Sequence, residues 1–220
     1  MYEVNKEKIK YPTFQGSSYS MNYININDAN NISRALTEVG NIYGLSNDTD
    51  SHLMKNGEWG ACTYLARSIK YGIGSSEIAV NSKNLNNGGV STTKEQGNTK
   101  AGYINNGKTG NGASVVIGKE KSTKYATVYP YSDIGNNDDE KSVANYKLND
   151  KIYGDSVRET STEGKGSTSW NSDNSYFPGG GHPFFTRGGH FGGGGNAGLS
   201  AFHRTNGFAH WHVGFRSVLV

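Results

Sequence analysis

The residues best suited to do chemistry are histidines near the end of the chain, since five of the six histidines follow residue 169. His210 and His212 are two residues apart, and on a strand such residues point to one face. With His190 or His203 they could bind Zn²⁺ or Ni²⁺ through neutral imidazole nitrogens. No carboxylate lies nearby in sequence to orient an imidazole ring, as metal sites usually require. The pattern therefore favours exposed loop positions without a metal, and a metal-dependent enzyme built on this histidine cluster is kept as the alternative.

Other catalytic arrangements are weaker. Cys62 is the only cysteine, so disulfides within the chain and thiolate metal clusters are excluded, and its apolar surroundings predict a buried, unreactive thiol. Glu159 and Glu163 favour a solvated or loop-capping pair over a glycosidase dyad. No Lys-Ser/Thr follows the glycine run 192–195, which is therefore not a phosphate loop. The oxygen-rich segment 46–51 fits a helix N-cap better than a Ca²⁺ site. We predict no catalytic residue and no cofactor.

The composition indicates a folded domain rich in ordered loops. Hydrophobic residues make up 33% of the chain, alongside 31 Gly and 14 Tyr. Glycine serves in turns, whereas tyrosine combines apolar area with a polar tip. The 22 Lys and Arg nearly balance 19 Asp and Glu and form no basic stripe, which argues against nucleic-acid binding. No apolar run predicts membrane insertion, and the N-terminus carries no signal-peptide pattern.

Two helices are predicted after an N-terminal arm over residues 1–20. The first follows an N-cap at Asn27 or Asp28 and ends at Gly40. Its apolar stripe consists of Ile32, Ala35, Leu36 and Val39. The second runs from Asp50 to about Ser68, with Ser51 as its N-cap and a break possible near Asn56 and Gly57. Its core-facing residues are Leu53, Met54, Trp59, Cys62 and Leu65.

Residues 72–150 give weaker signals. The segment 124–132 contains a short strand candidate, and 143–161 has the pattern of irregular chain with one further strand at most. After Ser169, apolar residues alternate with small or polar ones. This alternation predicts short strands held in the core, with variable loops between them.

Three segments of the chain carry a family resemblance. They are FFTRGGHF at 184–191, the arginine of FHR at 204, and VGFRSV at 213–218. This combination resembles the formylglycine-generating-enzyme-like (sulfatase-modifying factor) superfamily, whose domain is a variant of the C-type lectin fold. The segment SHLMKNGEWGACTYLARS at 51–68 resembles the core helix of that family. Other segments resemble proteins of gut-bacterial phages and prophages, including variable proteins of diversity-generating retroelements. The central Trp-Glu strand usual in the family has no counterpart in 91–107.

The resemblance implies one α+β domain with a C-type-lectin-like fold, two helices, short strands and many long ordered loops. It would span residues 21–220, with a variable C-terminal region at about 170–220. The formylglycine-generating branch uses a pair of cysteines and copper, and a related branch holds iron in a separate helical domain. This chain has one cysteine, and that helical domain is absent. The resemblance therefore implies ligand binding without catalysis.

The ligand implied is a protein or glycan on a cell surface, recognised by a receptor-binding or adhesion module. Display on a virion or a bacterial surface would give multivalent binding. In such variable proteins, diversification replaces adenines and so converts asparagine codons into codons for other residues. A tryptophan codon cannot arise in this way, so Trp211 is either a fixed residue or evidence against this origin. The predicted ligand-binding residues are Asn171, Asn174, Gly179, Gly180, Gly181, His182, His190, Ser200, His203, Thr205, Asn206, Phe208, His210, Trp211 and His212. The predicted scaffold consists of Trp170, Phe184, Phe185, Arg187, Gly188, Gly189, Arg204, Gly214, Phe215 and Arg216.

Overall fold

The computed structural model describes residues 23–72, 124–169, 172–189, 196–210, 213–215 and 217–220. In this part of the chain three helices and four short strands form an α+β structure, as the sequence predicts at that level. The N-terminal arm predicted over residues 1–20 lies outside the described residues. None of the described helices combines the length and the apolar character needed to cross a membrane.

Helix α1 covers Ile26–Ala35. Its N-cap is Asn25, whose side chain accepts a hydrogen bond from the Asp28 backbone N–H at 2.8 Å, so the predicted caps at Asn27 and Asp28 lie two or three residues too late. The buried face begins at Ile26 and ends with Leu36, which is the C-cap. Val39 is 92% exposed and lies beyond the helix. The apolar stripe is therefore shorter than the sequence predicts.

The second predicted helix divides into a strand and a helix. Strand β1 covers Ser51–Leu53, and helix α2 covers Asn56–Arg67. Lys55 is the N-cap, and its backbone N–H donates to the Glu58 side chain at 2.7 Å. The prediction of a helix from Asp50 with Ser51 as its cap is thus wrong, although a break near Asn56 was indicated.

The buried face of α2 also differs from the prediction. It consists of Asn56, Trp59, Gly60 and Thr63, whereas Cys62 and Leu65 are exposed. Gly60 lies against the backbone of Gly154 and Asp155 so closely that a Cβ atom would overlap the Gly154 carbonyl oxygen. The face with Trp59 and the closely packed Gly60 is therefore the buried one, and Cys62 lies on the other side. The prediction of a buried thiol is wrong.

Helix α3, which covers Asp138–Leu148, is a helix that the sequence reading misses. The Asn137 side chain caps the helix by accepting a hydrogen bond from the Glu140 N–H at 2.9 Å. The acidic residues of the first turn stabilise the helix by interacting with the positive end of its dipole. Its buried residues are Ser142, Asn145 and Tyr146. Because two of these three are polar, the apolar period that reveals a helix is missing.

The described strands form two antiparallel pairs. Strand β2 (Phe184–Arg187) pairs with β3 (Phe202–Thr205), and β1 pairs with β4 (Ser217–Leu219). The short C-terminal strands predicted from the sequence are confirmed, whereas the candidate at 124–132 contains only an isolated bridge residue, Ala126.

Two apolar clusters hold these elements together. One contains Ile24, Ile26, Ala29, Leu53, Phe184 and Val213, and the other contains Tyr129, Tyr146, Val157, Phe177, Phe185 and Phe202. The adjacent residues Phe184 and Phe185 of β2 point into different clusters, as alternation along a strand requires. Strand β2 therefore links both halves of the core.

Candidate ligand-binding face

The predicted scaffold positions lie mostly inside the protein. Phe184, Phe185 and Arg187 are fully buried. Gly188 and Gly189 follow with φ of +84° and +80°, a conformation that side chains disfavour, which explains the two glycines after Arg187. Gly214 is also buried and Phe215 is half-buried, whereas Trp170 and Arg216 lie outside the described residues.

Arg187 occupies a buried polar site. Its Nη2 donates to the Ser156 carbonyl at 3.1 Å, and its guanidinium carbon lies 5.8 Å from the Trp59 ring and 5.6 Å from the Phe202 ring. Burial lowers the pKa of Arg187 to about 10, against the opposing effect of nearby Asp155. The group therefore remains charged at neutral pH, in agreement with its predicted structural role.

Asp155 belongs to a hydrogen-bonded chain beneath this site. The Tyr129 hydroxyl donates to the Asp155 carboxylate, and the Asn56 amide donates to the Tyr129 hydroxyl at 3.0 Å. Burial raises the pKa of both Asp155 and Tyr129. Because all three side chains are buried, this chain joins α2 to the loop after α3 and presents no group to a ligand.

Arg204 connects β3 to helix α3. Its Nη1 donates to the Asp138 carbonyl and the Ser142 hydroxyl, and its Nη2 donates to the Asp139 carboxylate at 2.7 Å. The hydrogen bond from Arg204 holds the pKa of Asp139 below its ordinary value. Since the Arg204 side chain is only 12% exposed, it acts as scaffold.

The predicted ligand-binding residues differ in exposure. Gly181, His203, Phe208 and His210 are exposed, and Asn174, Gly180, His182, Thr205 and Asn206 are partly exposed. Gly179 and Ser200 are buried, so these two belong to the scaffold and correct the prediction. Gly179 pairs with His182 across a tight turn, which explains its position. Asn171, His190, Trp211 and His212 lie outside the described residues.

The exposed His203 ring lies against a partly exposed tyrosine. The centroid of the His203 ring lies 5.2 Å from that of the Tyr176 ring. The guanidinium carbon of Arg204 lies 5.1 Å from the centroid of the same Tyr176 ring. His182 lies near the same helix end, where its Nδ1 is 2.8 Å from the Asp138 carboxylate. The N-terminal end of α3 thus supports both His182 and, through Arg204, the ring stack.

A second group of exposed residues consists of Phe208 and His210, in the segment after β3, and Tyr23, which lies before α1. Phe208 is 44% exposed and Tyr23 is 59% exposed, and the Tyr23 backbone N–H donates to the His210 carbonyl at 3.1 Å. Asn206 fixes the turn between the groups, since its side chain accepts from the Phe208 N–H at 3.1 Å. We use the term ligand face for the following exposed and partly exposed residues: Tyr23, Asn174, Tyr176, Gly180, Gly181, His182, His203, Thr205, Asn206, Phe208 and His210.

Tyr176, Tyr23 and the end of α3 are missing from the sequence prediction of this site. Tyr176 lies among residues of similar polar character in SWNSDNSYF, and only its contact with His203 distinguishes it. A signal was nevertheless present in the segment, because tyrosine is enriched at binding surfaces.

The other candidate sites of the sequence have structural roles in the described residues. Asp50, from the segment considered for Ca²⁺, pairs with Arg34 at 3.0 Å and with His52 at 2.8 Å, rather than capping a helix. Glu159 accepts from the Gly154 N–H, which is the predicted loop-capping role, while Glu163 is exposed. Arg34 and Asp50 also line a polar cleft of about 300 Å³, whose lining contains two basic and three acidic side chains.

Metal binding by the histidines stays an untested alternative. Within the described ranges, no group of three or more His, Cys, Asp or Glu residues could hold a metal ion. Two of the four histidines considered, His190 and His212, fall outside those ranges.

Comparison of the chain with protein-family models, with curated proteins and with solved structures gives no match.

Proposed function

We propose that the chain is a non-catalytic binding module that recognises a protein or glycan on a cell surface through the ligand face. The observation that carries the proposal is the division of the C-terminal region by burial. Phe184, Phe185 and Arg187 are fully buried, whereas His203, Phe208 and His210 are exposed within the same strand pair and the segment after it. A surface of this kind allows its residues to change without altering the core.

The proposed centre of the face is the stack of Tyr176 and His203. Aromatic residues and arginine carry much of the energy at binding surfaces. The Tyr176 backbone N–H donates to the Phe202 carbonyl at 2.9 Å, and Arg204 on its ring is fixed to α3. Because these groups are ordered before a ligand arrives, binding would cost less conformational entropy.

The proposed scaffold is the C-type-lectin-like fold of the formylglycine-generating-enzyme-like superfamily, and the proposed source of variation is a diversity-generating retroelement. Gly181, His203 and Asn206 are residue types that such diversification yields. The display platform would be a virion or a bacterial surface, where several copies raise a modest affinity per site. The neighbouring DNA tests this part: a near-copy of the 3′ end of the gene, differing at adenines and beside a reverse transcriptase, would support it. Absence of both from the complete genome would overturn the diversification proposal alone.

The binding proposal is tested with labelled protein on a glycan array and on a panel of bacterial cells. The face variant carries His203→Ser and Phe208→Ser. The matched control carries Tyr153→Ser and Lys147→Ala, which replace two exposed residues. Lys147 lies in the last turn of α3, and Tyr153 lies in the loop after that helix. We expect signals of the wild-type protein to fall at least tenfold in the face variant and to persist in the control. Equal profiles for all three proteins, at equal thermal stability, would contradict the proposal.

A further inference from the structure

Asp173 is a buried carboxylate beside the segment that leads into β3. Its side chain is fully buried, and neither oxygen has a hydrogen-bond partner of good geometry among the described residues. It packs against Gly198 so closely that a Cβ atom at Gly198 would overlap one carboxylate oxygen. A buried polar group in this state needs an explanation, because ionising it without partners is costly.

Backbone hydrogen bonds hold residues 196–201 over this carboxylate. The Asn174 N–H donates to the Asn196 carbonyl at 2.9 Å, and the Gly198 N–H donates to the Gly188 carbonyl at 3.1 Å. The Phe202 N–H donates back to the Asn174 carbonyl at 2.9 Å. Phe202, the residue before His203, therefore takes part in the hydrogen bonds that close the segment over Asp173, while His203 itself pairs with Thr186 of β2.

The charged and polar groups around Asp173 do not fully offset the cost of burying its ionised carboxylate. Arg187 is the cation that acts on it, and the N–H groups of Ser200 and Ala201 also favour its charged form. However, the same guanidinium interacts with Asp155, Glu159 and Tyr129. It donates no hydrogen bond to Asp173, since both carboxylate oxygens lack a partner among the described residues. Burial outweighs these effects and raises the pKa of Asp173 to about 7.

We propose that Asp173 is a proton-responsive support of the ligand face: its neutral form permits residues 196–201 to pack over it, and its ionised form favours local opening that admits water. An open segment hydrates the carboxylate as water hydrates an ordinary aspartate. Opening therefore becomes more frequent as the pH rises from about 4 to about 7 and levels off above that, because the closed form binds the proton more tightly than the open form. Arg187 limits this effect without removing it.

A consequence for recognition rests on the proposed function. If the ligand face binds as proposed, His203 would be ordered more often below neutral pH, and ligands that contact it would bind more tightly there. The opening itself requires no ligand and is tested without one.

Hydrogen exchange of the full chain, with the backbone amides followed by mass spectrometry or NMR, provides the test. With a pKa of 3.8 in the open form and about 7 in the closed form, the opening equilibrium of residues 196–202 rises roughly tenfold from pH 6 to pH 8, after correction for the intrinsic exchange rate. The amides of α3 serve as the internal control and change little. In Asp173→Asn the segment should show no such dependence on pH. An equal opening at both pH values in the wild-type protein, or the same rise in Asp173→Asn, overturns the proposal.

The carboxyl ¹³C resonance of Asp173 in the wild-type protein gives a second measurement that does not depend on a variant. A titration midpoint near 7 supports the proposal, and a midpoint near 4 overturns it. Neither experiment uses a ligand, so failure of the binding proposal leaves both results interpretable.

Discussion

Replacement of Arg204 by alanine should destabilise the protein through the loss of one side chain that connects β3 to α3. In the wild-type structure, the guanidinium donates to the Asp138 carbonyl, to the Ser142 hydroxyl and to the Asp139 carboxylate. Ser142 in turn donates its own proton to the Phe177 carbonyl at 2.6 Å, so its oxygen accepts from Arg204. The substitution therefore leaves a buried acceptor without its donor.

The size of the effect follows from these three contacts. A hydrogen bond to a charged group is worth roughly 1.5–3 kcal/mol when it is well shielded from water. The Asp139 contact contributes less, about 0.5 kcal/mol, because that carboxylate is 39% exposed. Allowing for the shared nitrogen of the other two contacts, we expect Arg204→Ala to lower the free energy of unfolding by about 3 kcal/mol.

Urea denaturation followed by circular dichroism measures this loss, and a double-mutant cycle with Asp139→Asn separates the ion pair from the rest. The coupling energy should be about 0.5 kcal/mol, while Arg204→Lys should recover only part of the stability because lysine lacks the planar fork. The exposed Lys147→Ala in the same helix is the control and should change stability by less than about 0.5 kcal/mol. If Arg204→Ala is as stable as this control, the proposed link between β3 and α3 is wrong.

Three further predictions concern α2. Gly60→Ala should lower the free energy of unfolding, measured by thermal unfolding, by about 2 kcal/mol or more, because the new Cβ atom would overlap the Gly154 carbonyl oxygen. Gly57 faces open space, so Gly57→Ala should raise this free energy by about 0.5–1 kcal/mol. Equal effects of the two substitutions would contradict the packing of α2. Burial opposes the ionisation of Glu58, but hydrogen bonds from the Lys55 N–H and His52 outweigh it and lower its pKa. The contribution of the Glu58 carboxylate to stability is therefore present above the ordinary pKa of 4.5 and is lost as the pH falls through the lower value of the folded protein. Glu58→Gln should therefore weaken the protein at pH 7 and flatten the curve of its unfolding by acid. An unchanged curve would count against this. Cys62 should react with a thiol reagent in the native protein at a rate close to that in the denatured protein, and protection of more than about a hundredfold would place it in the core.

The sequence predicts elements that an apolar pattern marks, although it does not place their caps, which are Asn25 for α1 and Lys55 for α2. Helix α1 and the C-terminal strands are recognisable because apolar residues recur at the right spacing, whereas the start, the cap and the buried face of α2 all differ from the prediction. Helix α3 is not recognisable in this way, since Ser142 and Asn145 are buried in it through hydrogen bonds to the Phe177 carbonyl and to Ser132. Burial driven by hydrogen bonding leaves no apolar period in the sequence.

The exposure of residues in the candidate site follows the prediction where strand alternation decides it. Phe202 is buried and His203 exposed because adjacent residues of a strand point to opposite sides. Ser200 and Gly179 are exceptions, because tertiary contacts bury them in loops that have no such alternation. The stack of His203 on Tyr176 joins residues from separate segments, and sequence spacing carries no information about that contact.

The measurement that tests the central claim most directly is the binding profile of a small library in which positions 181, 203, 206, 208 and 210 vary together on the unchanged scaffold. The library members are compared with the wild-type protein on the same glycan array and cell panel, and their melting temperatures are recorded. If the face binds and the scaffold carries it, the members should keep the melting temperature within a few degrees and differ from one another in their ligands. Library members that melt normally but all share the wild-type profile would contradict the account.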